Sequence, residues 1–373
     1  MLQRLRLWVK REPVLAISAA CAVLSMALTP PSAAYLGYID TRVLILLFGL
    51  MAVVAGFQDC GVFEVLAQRL LSGRHRMRTL TLLLVLMPFF VSMLVTNDVA
   101  LIAFVPFAIL VLERVGRLER LIPVVVLQTL AANLGSMATP VGNPQNLYLY
   151  NQFQLGAGEF FGVVGPLTAV SGLVLAAACL FWGKQETIQV TFPERVTLRK
   201  RGRLVLLCVL FALCLLCVFH VIPAPVLLAV VLVSLLLAGR DLLPRVDYGL
   251  LLTFVCFFIF AGNIGANPQL RAVLTAALEG NTALVSGLAS QIISNVPAAV
   301  LFSGFTQDWR GLLIGTDIGG LGTPVASLAS LISMRLYLRT PGAELGRYMR
   351  FFLAANAIGL VLLAGAAAIF AAF

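Results

Sequence analysis

Two short polar stretches, each inside an apolar run, carry side chains that could handle an ion. They read Thr96-Asn97-Asp98 and Ser294-Asn295. Their hydroxyl, amide and carboxylate oxygens are the ligands that hard cations prefer. An acid inside an apolar segment is costly and by default marks a path for an ion or a proton. Asp98 is therefore the strongest candidate for a residue that handles an ion or a proton, although aspartate is also favoured at the N-cap of a following helix.

Two further stretches place glycine and proline where an apolar helix is expected. Residues 133–141 read NLGSMATPV, residues 317–325 read DIGGLGTPV, and the two align at a distance of 184 residues. Pro140 and Pro144 remove N–H donors, and the glycines allow conformations that other residues resist. Both helices are therefore predicted to break, the first within 137–146 and the second within 321–327. Freed carbonyls can bind a cation, and freed N–H groups can bind an anion.

These features recur in order. Helices at 41–57 and 249–264 each precede a polar tip, and each tip precedes a predicted break. A single proline-kinked helix that packs through small residues would explain one copy. Two copies in register, with discontinuous helices at corresponding positions, are typical of secondary transporters.

The composition defines the elements that must position these residues. The 373 residues are 61% hydrophobic and 11% charged, with a mean hydropathy of +1.01. Each membrane-spanning helix needs about 20 apolar residues, and continuous runs argue against a β-barrel. The fold class is an all-α polytopic membrane protein with nine predicted crossings: 13–36, 41–57, 121–150, 159–182, 204–220, 224–239, 249–264, 311–337 and 348–372.

The basic residues support this topology. If the runs 79–112 and 282–305 are re-entrant hairpins, one side of the membrane holds 23 of the 26 Lys and Arg residues. That asymmetry places the N-terminus in the cytoplasm and the C-terminus in the periplasm. Five crossings then separate the two copies, so they are predicted to be inverted repeats. Nucleic acid is not an expected partner, because no aromatic residues interleave the basic clusters.

The predicted organisation has four parts. Residues 1–38 form an N-terminal transmembrane helix, which could instead be a cleaved signal peptide. Residues 39–182 form the first inverted repeat, 183–203 a cytoplasmic linker, and 204–373 the second repeat with its preceding helices. Enzyme activity is not expected, because the sequence lacks a nucleophile elbow, a phosphate loop and metal-site spacing of its Cys and His residues.

Four segments resemble the signature stretches of the ion-transporter superfamily: TNDVALIAFVPF, GSMATPVGNPQNLYLY, SNVPAAV and GGLGTPVASLASL. That group includes divalent-anion/sodium symporters, citrate permeases, arsenite permeases and one type of bacterial sodium/proton antiporter. The resemblance covers about residues 40 to 370. It implies an elevator-type alternating-access mechanism and a homodimer.

The resemblance also implies roles for individual residues. In the symporters, Ser-Asn-Thr triplets at the tips bind sodium and substrate carboxylate. Thr96, Asn97, Ser294 and Asn295 match the first two triplet positions, whereas Asp98 and Val296 replace the third. This departure weakens the case for a dicarboxylate substrate and favours the arsenite-permease and antiporter branches. Ser92 and Ser290, one turn earlier, match further cation ligands.

The sequence thus predicts an ion-coupled secondary transporter for a small inorganic or organic anion in a bacterial inner membrane. No resident cofactor is expected, and the coupling ion is Na⁺ or H⁺. The alternatives are a sodium/proton antiporter or arsenite-type efflux permease that uses Asp98, and, from another class, a channel or scaffold. Asp317 could be a cation ligand or a neutral spacer. The candidate substrate and ion site comprises Ser92, Thr96, Asn97, Asp98, Thr139, Gly142, Asn143, Asn146, Ser290, Ser294, Asn295, Asp317, Thr323 and Ser327.

Overall fold

The structure is a computed structural model that describes residues 12–182, 186–192 and 195–371. The described chain is almost entirely helical, as the apolar runs predict. Its α-helices are Pro13–Ser25, Tyr35–Tyr38, Thr41–Asp59, Val62–Leu71, Met77–Val91, Asn97–Arg114, Leu121–Ser136, Pro144–Gln152, Ala157–Trp182, Arg201–Val218, Ala224–Ala238, Tyr248–Ala266, Pro268–Leu278, Thr282–Ile293, Asn295–Phe302, Trp309–Ile318, Leu328–Tyr337 and Leu345–Ala371. Short 3₁₀ helices lie at Leu118–Arg120 and Arg240–Arg245.

Six of the described helices are long and apolar enough to cross a membrane, and all six coincide with predicted crossings. The three other predicted crossings fall on shorter helices. The first of them, predicted over 13–36, is a helix only over Pro13–Ser25, because Pro30 and Pro31 follow closely. Residues 1–11 of the predicted N-terminal segment 1–38 lie outside the described residues. The protein is therefore an all-α, multi-pass membrane protein, whereas the count of nine crossings remains a prediction.

Both predicted helix breaks are confirmed. The first helix ends at Ser136 and resumes at Pro144, which occupies the first helical turn. The second ends at Ile318 and resumes at Leu328. Proline suits a helix start because its missing N–H has no partner there in any case. We call residues 137–143 the first break and residues 319–327 the second break.

Each break follows a pair of helices joined at a polar tip. Met77–Val91 packs on Asn97–Arg114, and Thr282–Ile293 packs on Asn295–Phe302. A short helix precedes each pair, at Val62–Leu71 and Pro268–Leu278. Neither short helix was predicted, because both lie between the predicted crossings and hairpins. The order of helix, tip and break therefore recurs, as predicted, while the inverted orientation stays a prediction.

The second halves of the broken helices exchange partners between the two repeats. Pro144–Gln152 packs against Asn295–Phe302, which carries the second tip. Leu328–Tyr337 packs against Asn97–Arg114, which carries the first tip. Each tip is therefore surrounded by segments of both repeats.

Two separate apolar cores hold this arrangement together. One centres on the first helix pair with Leu121–Ser136 and Leu345–Ala371. The other centres on Thr41–Asp59 with the helices of residues 201–266. Part of the predicted linker 183–203 is a strand, Thr187–Val190, antiparallel to Gly73–Arg76. Residues 183–185 and 193–194 of that linker lie outside the described residues.

Candidate ion and substrate site

The first tip is bound to the first break by its backbone. Helix Asn97–Arg114 begins at the tip, and the Asn97 N–H donates to the Gly142 carbonyl over 3.2 Å. The Asn97 side-chain oxygen accepts from the Asp98 N–H over 2.9 Å. This fixes the amide of Asn97 at the start of the helix, beside the backbone that the break exposes.

The second tip repeats this contact. The Asn295 N–H donates to the Ala326 carbonyl over 3.0 Å, and Ala326 corresponds to Gly142 at the distance of 184 residues. The Asn295 side-chain oxygen accepts from the Val296 N–H over 3.0 Å. Ser294 has a φ of 74°. A positive φ is unusual for serine, and residues with such strained backbone conformations cluster at functional sites. Thr96, its counterpart, has an ordinary φ of −67°.

The two threonines of the breaks also have matching contacts. The Thr139 hydroxyl donates to the Met93 carbonyl over 2.5 Å, and the Thr323 hydroxyl donates to the Gln291 carbonyl over 2.9 Å. Both acceptors lie just before a tip. The structure therefore uses these two candidate residues to attach each break to its own tip.

Ser92 and Ser290 are fully buried. Ser92 directly follows helix Met77–Val91, and Ser290 lies in the last turn of helix Thr282–Ile293, so both lead to the tips. Their hydroxyls donate to carbonyls one turn earlier, those of Phe89 over 3.0 Å and Ser286 over 2.7 Å. The hydroxyl hydrogens are thus donated within the protein. The hydroxyl oxygens keep lone pairs that could bind a cation or accept a hydrogen bond.

Both tips line a single cavity of about 280 Å³. Its polar lining comes from both repeats: Asn97, Asp98, Gln145, Thr253, Ser294, Asn295 and Ser327. A second cavity of about 280 Å³ contacts Thr96, Asp98 and Asn143 and extends to Arg245. Asp98 lines both cavities, so it stands between them. The remaining candidates line neither of these two cavities: Ser92, Thr139, Gly142, Asn146, Ser290, Asp317 and Thr323.

Asp98 does not cap the helix, so the capping interpretation is wrong. Thr96 occupies the cap position, no side chain bonds there, and Asp98 lies in the first turn. The Asp98 Oδ1 is buried and has no hydrogen-bond partner among the described residues. The helix dipole favours an acid in a first turn. Because the carboxylate makes no capping bond, it is available to a ligand in the cavity.

A polar cluster behind the first tip joins the repeats. The Oδ1 of Asn133 accepts from the Asn97 amide over 2.9 Å and from the Ser327 hydroxyl over 3.0 Å. The Asn133 amide lies 3.5 Å from the Ser330 hydroxyl. We call these four residues the Asn133 cluster, and its hydrogen bonds connect the first tip to the second break.

The corresponding cluster contains an acid. Asp317 aligns with Asn133, and its side chain interacts with those of Asn143, Gln145 and Asn146. The Gln145 amide donates to Asp317 Oδ1 over 3.4 Å. Asn143 and Asn146 align with Ser327 and Ser330, so the same positions meet in both clusters. We call this set the Asp317 cluster.

Sequence reasoning missed three residues that the structure assigns to this region. Ser330 and Gln145 belong to the two clusters, and Ser330 could have been found because it aligns with the candidate Asn146. The amide of Gln291 donates over 2.8 Å to each of the carbonyls of Gly319 and Leu321. It thereby satisfies backbone groups that the second break frees, as membrane depth requires.

A group of charges lies where helix Thr41–Asp59 ends. Asp59 is within 3.2 Å of Lys200, Arg203 and Arg245, and Arg203 binds Asp241 through both terminal nitrogens. The bonds from Arg203 hold the pKa of the Asp241 carboxyl below its usual range. Arg245 also lines the second cavity, so that cavity reaches from the charged group to Asp98.

Two helix breaks, and two polar tips that line one cavity, define a secondary transporter. The sequence comparisons agree: the family model described as "Citrate transporter" matches residues 4–307. The chain therefore belongs to that family, and the resemblance predicted from the motifs is confirmed.

Several relatives are themselves transporters or membrane proteins. An uncharacterized transporter of Methanocaldococcus jannaschii is 30% identical over 318 residues, which is 83% of this chain and 84% of that protein. An inner membrane protein of Escherichia coli is 32% identical over 316 residues, 80% of each chain. A silicon efflux transporter of Oryza sativa is 33% identical over 154 residues, 39% of this chain and 30% of that protein.

Proposed function

We propose that this transporter moves a small anion across the bacterial inner membrane and couples the movement to Na⁺ or H⁺. The observation that carries the proposal is the shared cavity, which brings Asn97 and Asn295 together with the helix start that follows the first break and with Ser327 of the second break. The cation would bind at the tips, and the anion would bind beside it in the same cavity.

The cavity size and charge support this combination. A volume of about 280 Å³ is near the lower limit for small-molecule pockets, so the substrate must be small. No Lys or Arg is among the residues that line it, whereas Asp98 is. An anion bound there would need amide and hydroxyl donors and a cation that offsets the charge of Asp98. Under this proposal the coupling cation is part of the binding site, because it offsets the charge of Asp98.

Alternating access would follow the elevator type that the family resemblance implies. The two separate apolar cores supply two bodies that could move against each other. The glycines at the breaks would absorb the local change in backbone angles. We expect a homodimer with a cytoplasmic N-terminus and a periplasmic C-terminus, and reporter fusions at both ends test that orientation.

Flux measurements in proteoliposomes test the proposed function. The panel contains monovalent, divalent and trivalent anions, including citrate, and Na⁺ and pH gradients are imposed separately. We expect uptake of one small anion to depend on one of the two gradients. Accumulation that follows neither gradient would refute ion coupling, and no flux of any anion would refute the substrate class.

A second candidate is efflux of a small uncharged oxyacid in exchange for H⁺ or Na⁺ at Asp98. The absence of Lys and Arg from the described lining of the cavity favours it, because a neutral substrate needs no positive charge. The partial similarity to a silicon efflux transporter points the same way. The same proteoliposomes, loaded with silicic or arsenous acid, distinguish the two: efflux driven by an opposing ion gradient supports exchange, and anion uptake supports the first proposal.

A further inference from the structure

The Asn133 and Asp317 clusters occupy corresponding positions but differ in how well their polar atoms are satisfied. In the Asn133 cluster, the asparagine oxygen accepts two hydrogen bonds and its amide has a hydroxyl partner. In the Asp317 cluster, Asp317 Oδ2 and Asn146 Oδ1 are buried and have no hydrogen-bond partner among the described residues. Asp317 is 4% exposed and Asn146 is fully buried.

These two unpartnered oxygens point to a ligand. A buried acceptor without a donor costs free energy, and a buried carboxylate without a counter-charge costs more. None of the described Lys, Arg or His residues lies within salt-bridge distance of Asp317. The described side chains that interact with Asp317 are the neutral amides of Gln145, Asn143 and Asn146, which leave the net negative charge in place. One cation between Asp317 and Asn146 would satisfy both oxygens.

We propose that Asp317 and Asn146 form a buried Na⁺ site that is separate from the sites at the two tips. The ligands would be Asp317 Oδ2 and Asn146 Oδ1, completed by carbonyls of the adjacent break. An all-oxygen set suits a hard cation, and a single carboxylate balances one positive charge but not two. The site joins the first half of one broken helix to the second half of the other. The proposal rests on the proposed cation coupling and adds a third position for the ion.

The matching cluster explains why only one of the two junctions would bind an ion. Asn133 replaces the acid, so no negative charge attracts a cation there. The amide of Asn97 and the hydroxyl of Ser327 already occupy its oxygen. The first junction is thus closed by protein hydrogen bonds, and the second is left for a cation.

The test measures Na⁺ binding by thermal stability, independently of transport. Purified full-length protein is melted at fixed pH while NaCl replaces choline chloride at constant ionic strength. Asn97→Ala and Asn295→Ala are combined to remove the proposed tip sites. A ligand that binds only the folded state raises its melting temperature. We expect that rise to persist in the double variant and to disappear when Asp317→Asn is added.

Two further variants keep the test decisive. Asn146→Ser introduces the residue found at the corresponding position of the Asn133 cluster, retains the acid, and should raise the Na⁺ concentration for half-maximal stabilisation severalfold. Thr316→Val is the control, because the Thr316 hydroxyl bonds only to carbonyls of its own helix. It should leave the Na⁺ dependence unchanged. If Asp317→Asn does not fold, Asn146→Ser still tests the site.

Some outcomes would overturn the proposal. Unchanged Na⁺ stabilisation in both Asp317→Asn and Asn146→Ser would show that the cluster does not bind the ion. Stability that responds to pH but not to Na⁺ would indicate that Asp317 is protonated and does not bind Na⁺. Either result would refute this Na⁺ site without bearing on the anion flux, which is measured separately. The failure of this site can therefore be distinguished from the failure of the proposed function.

Discussion

The first repeat carries its acid at the tip, as Asp98, whereas the second has Val296 there and carries its acid beside the break, as Asp317. The backbone contacts that surround these positions are nearly the same. Asn97 and Asn295 each donate to a carbonyl of a break, over 3.2 Å and 3.0 Å. The two repeats therefore share a scaffold of hydrogen bonds and differ in the charge placed on it.

This difference separates structural from chemical requirements. Residues that attach the break to the tip are matched in type, as Thr139 and Thr323 are. Residues that face the cavity or the junction are free to differ, because their backbone positions are already fixed. An asymmetric site can therefore form within a nearly symmetric frame, which suits an ion and a substrate of different charge.

The largest expected effect concerns the closest packing in the two repeats. A Cβ at Gly135 would lie 2.0 Å from the Phe89 carbonyl oxygen, whereas a Cβ at Gly319 would lie 2.9 Å from Gly287 Cα and 2.5 Å from the Gly315 oxygen. Overpacking typically costs about 1–3 kcal/mol, and backbone cannot move aside as a side chain can. We expect Gly135→Ala to prevent folding and Gly319→Ala to fold with reduced stability. Size-exclusion profiles and melting temperatures check both.

Gly165→Ala is the matched control for these glycines. Nothing lies within 4 Å of a Cβ at Gly165, and alanine favours a helix more than glycine. This variant should keep the wild-type profile. A well-folded Gly135→Ala protein would contradict the close approach of the first broken helix to helix Met77–Val91.

The next effect concerns the tips. Asn97→Ala and Asn295→Ala should each abolish transport, because each removes a side-chain oxygen from the shared cavity. Their stabilities should differ. The Asn97 amide also donates to Asn133 over 2.9 Å. Asn97→Ala should therefore lower the free energy of unfolding by about 1 kcal/mol more than Asn295→Ala does. Flux in proteoliposomes and chemical denaturation measure the two effects, and normal flux in either variant would show that its tip only turns the chain.

Much of this arrangement could be predicted because it follows from local chemistry. Proline and glycine within apolar runs predicted both breaks, and Thr96-Asn97 and Ser294-Asn295 predicted both tips. These signals depend on backbone properties of single residues, which hold wherever the segment packs. The alignment at 184 residues also predicted which positions correspond.

The remaining features depend on packing between distant segments. No local pattern shows that Pro144–Gln152 packs against the second helix pair while Leu328–Tyr337 packs against the first. That exchange creates the Asn133 and Asp317 clusters and brings in Gln145 and Ser330. The sequence leaves the capping alternative for Asp98 open for a similar reason, since Thr96 and Asp98 both suit the start of a helix, and the helix boundary decides between them.

Asp98→Asn tests the acid that distinguishes the first tip. If Asp98 exchanges protons, transport by the wild type should depend on pH, and the variant should lose that dependence because an amide cannot ionise. We expect a reduced rate with a flat pH profile, measured by flux at several pH values. A reduced rate with the pH profile retained would indicate a fixed cation ligand, and wild-type behaviour in both would exclude Asp98 from coupling.

The smallest effect concerns the two threonines that attach the breaks to the tips. Thr139→Val and Thr323→Val keep the side-chain shape and remove one hydroxyl each, so each should destabilise the protein by about 1 kcal/mol. Thr139 should cost more, because its hydroxyl also accepts from the Gly142 N–H over 3.1 Å, and valine leaves that donor only its longer bond to the Thr139 carbonyl, over 3.3 Å. Neither threonine lines the shared cavity, so the flux per folded molecule should stay near the wild-type value.

Denaturation midpoints and flux, measured on the same preparations, separate the two quantities. Equal destabilisation would contradict the extra hydrogen bond at Thr139, and a large loss of flux with stability unchanged would move these hydroxyls from the scaffold into the site.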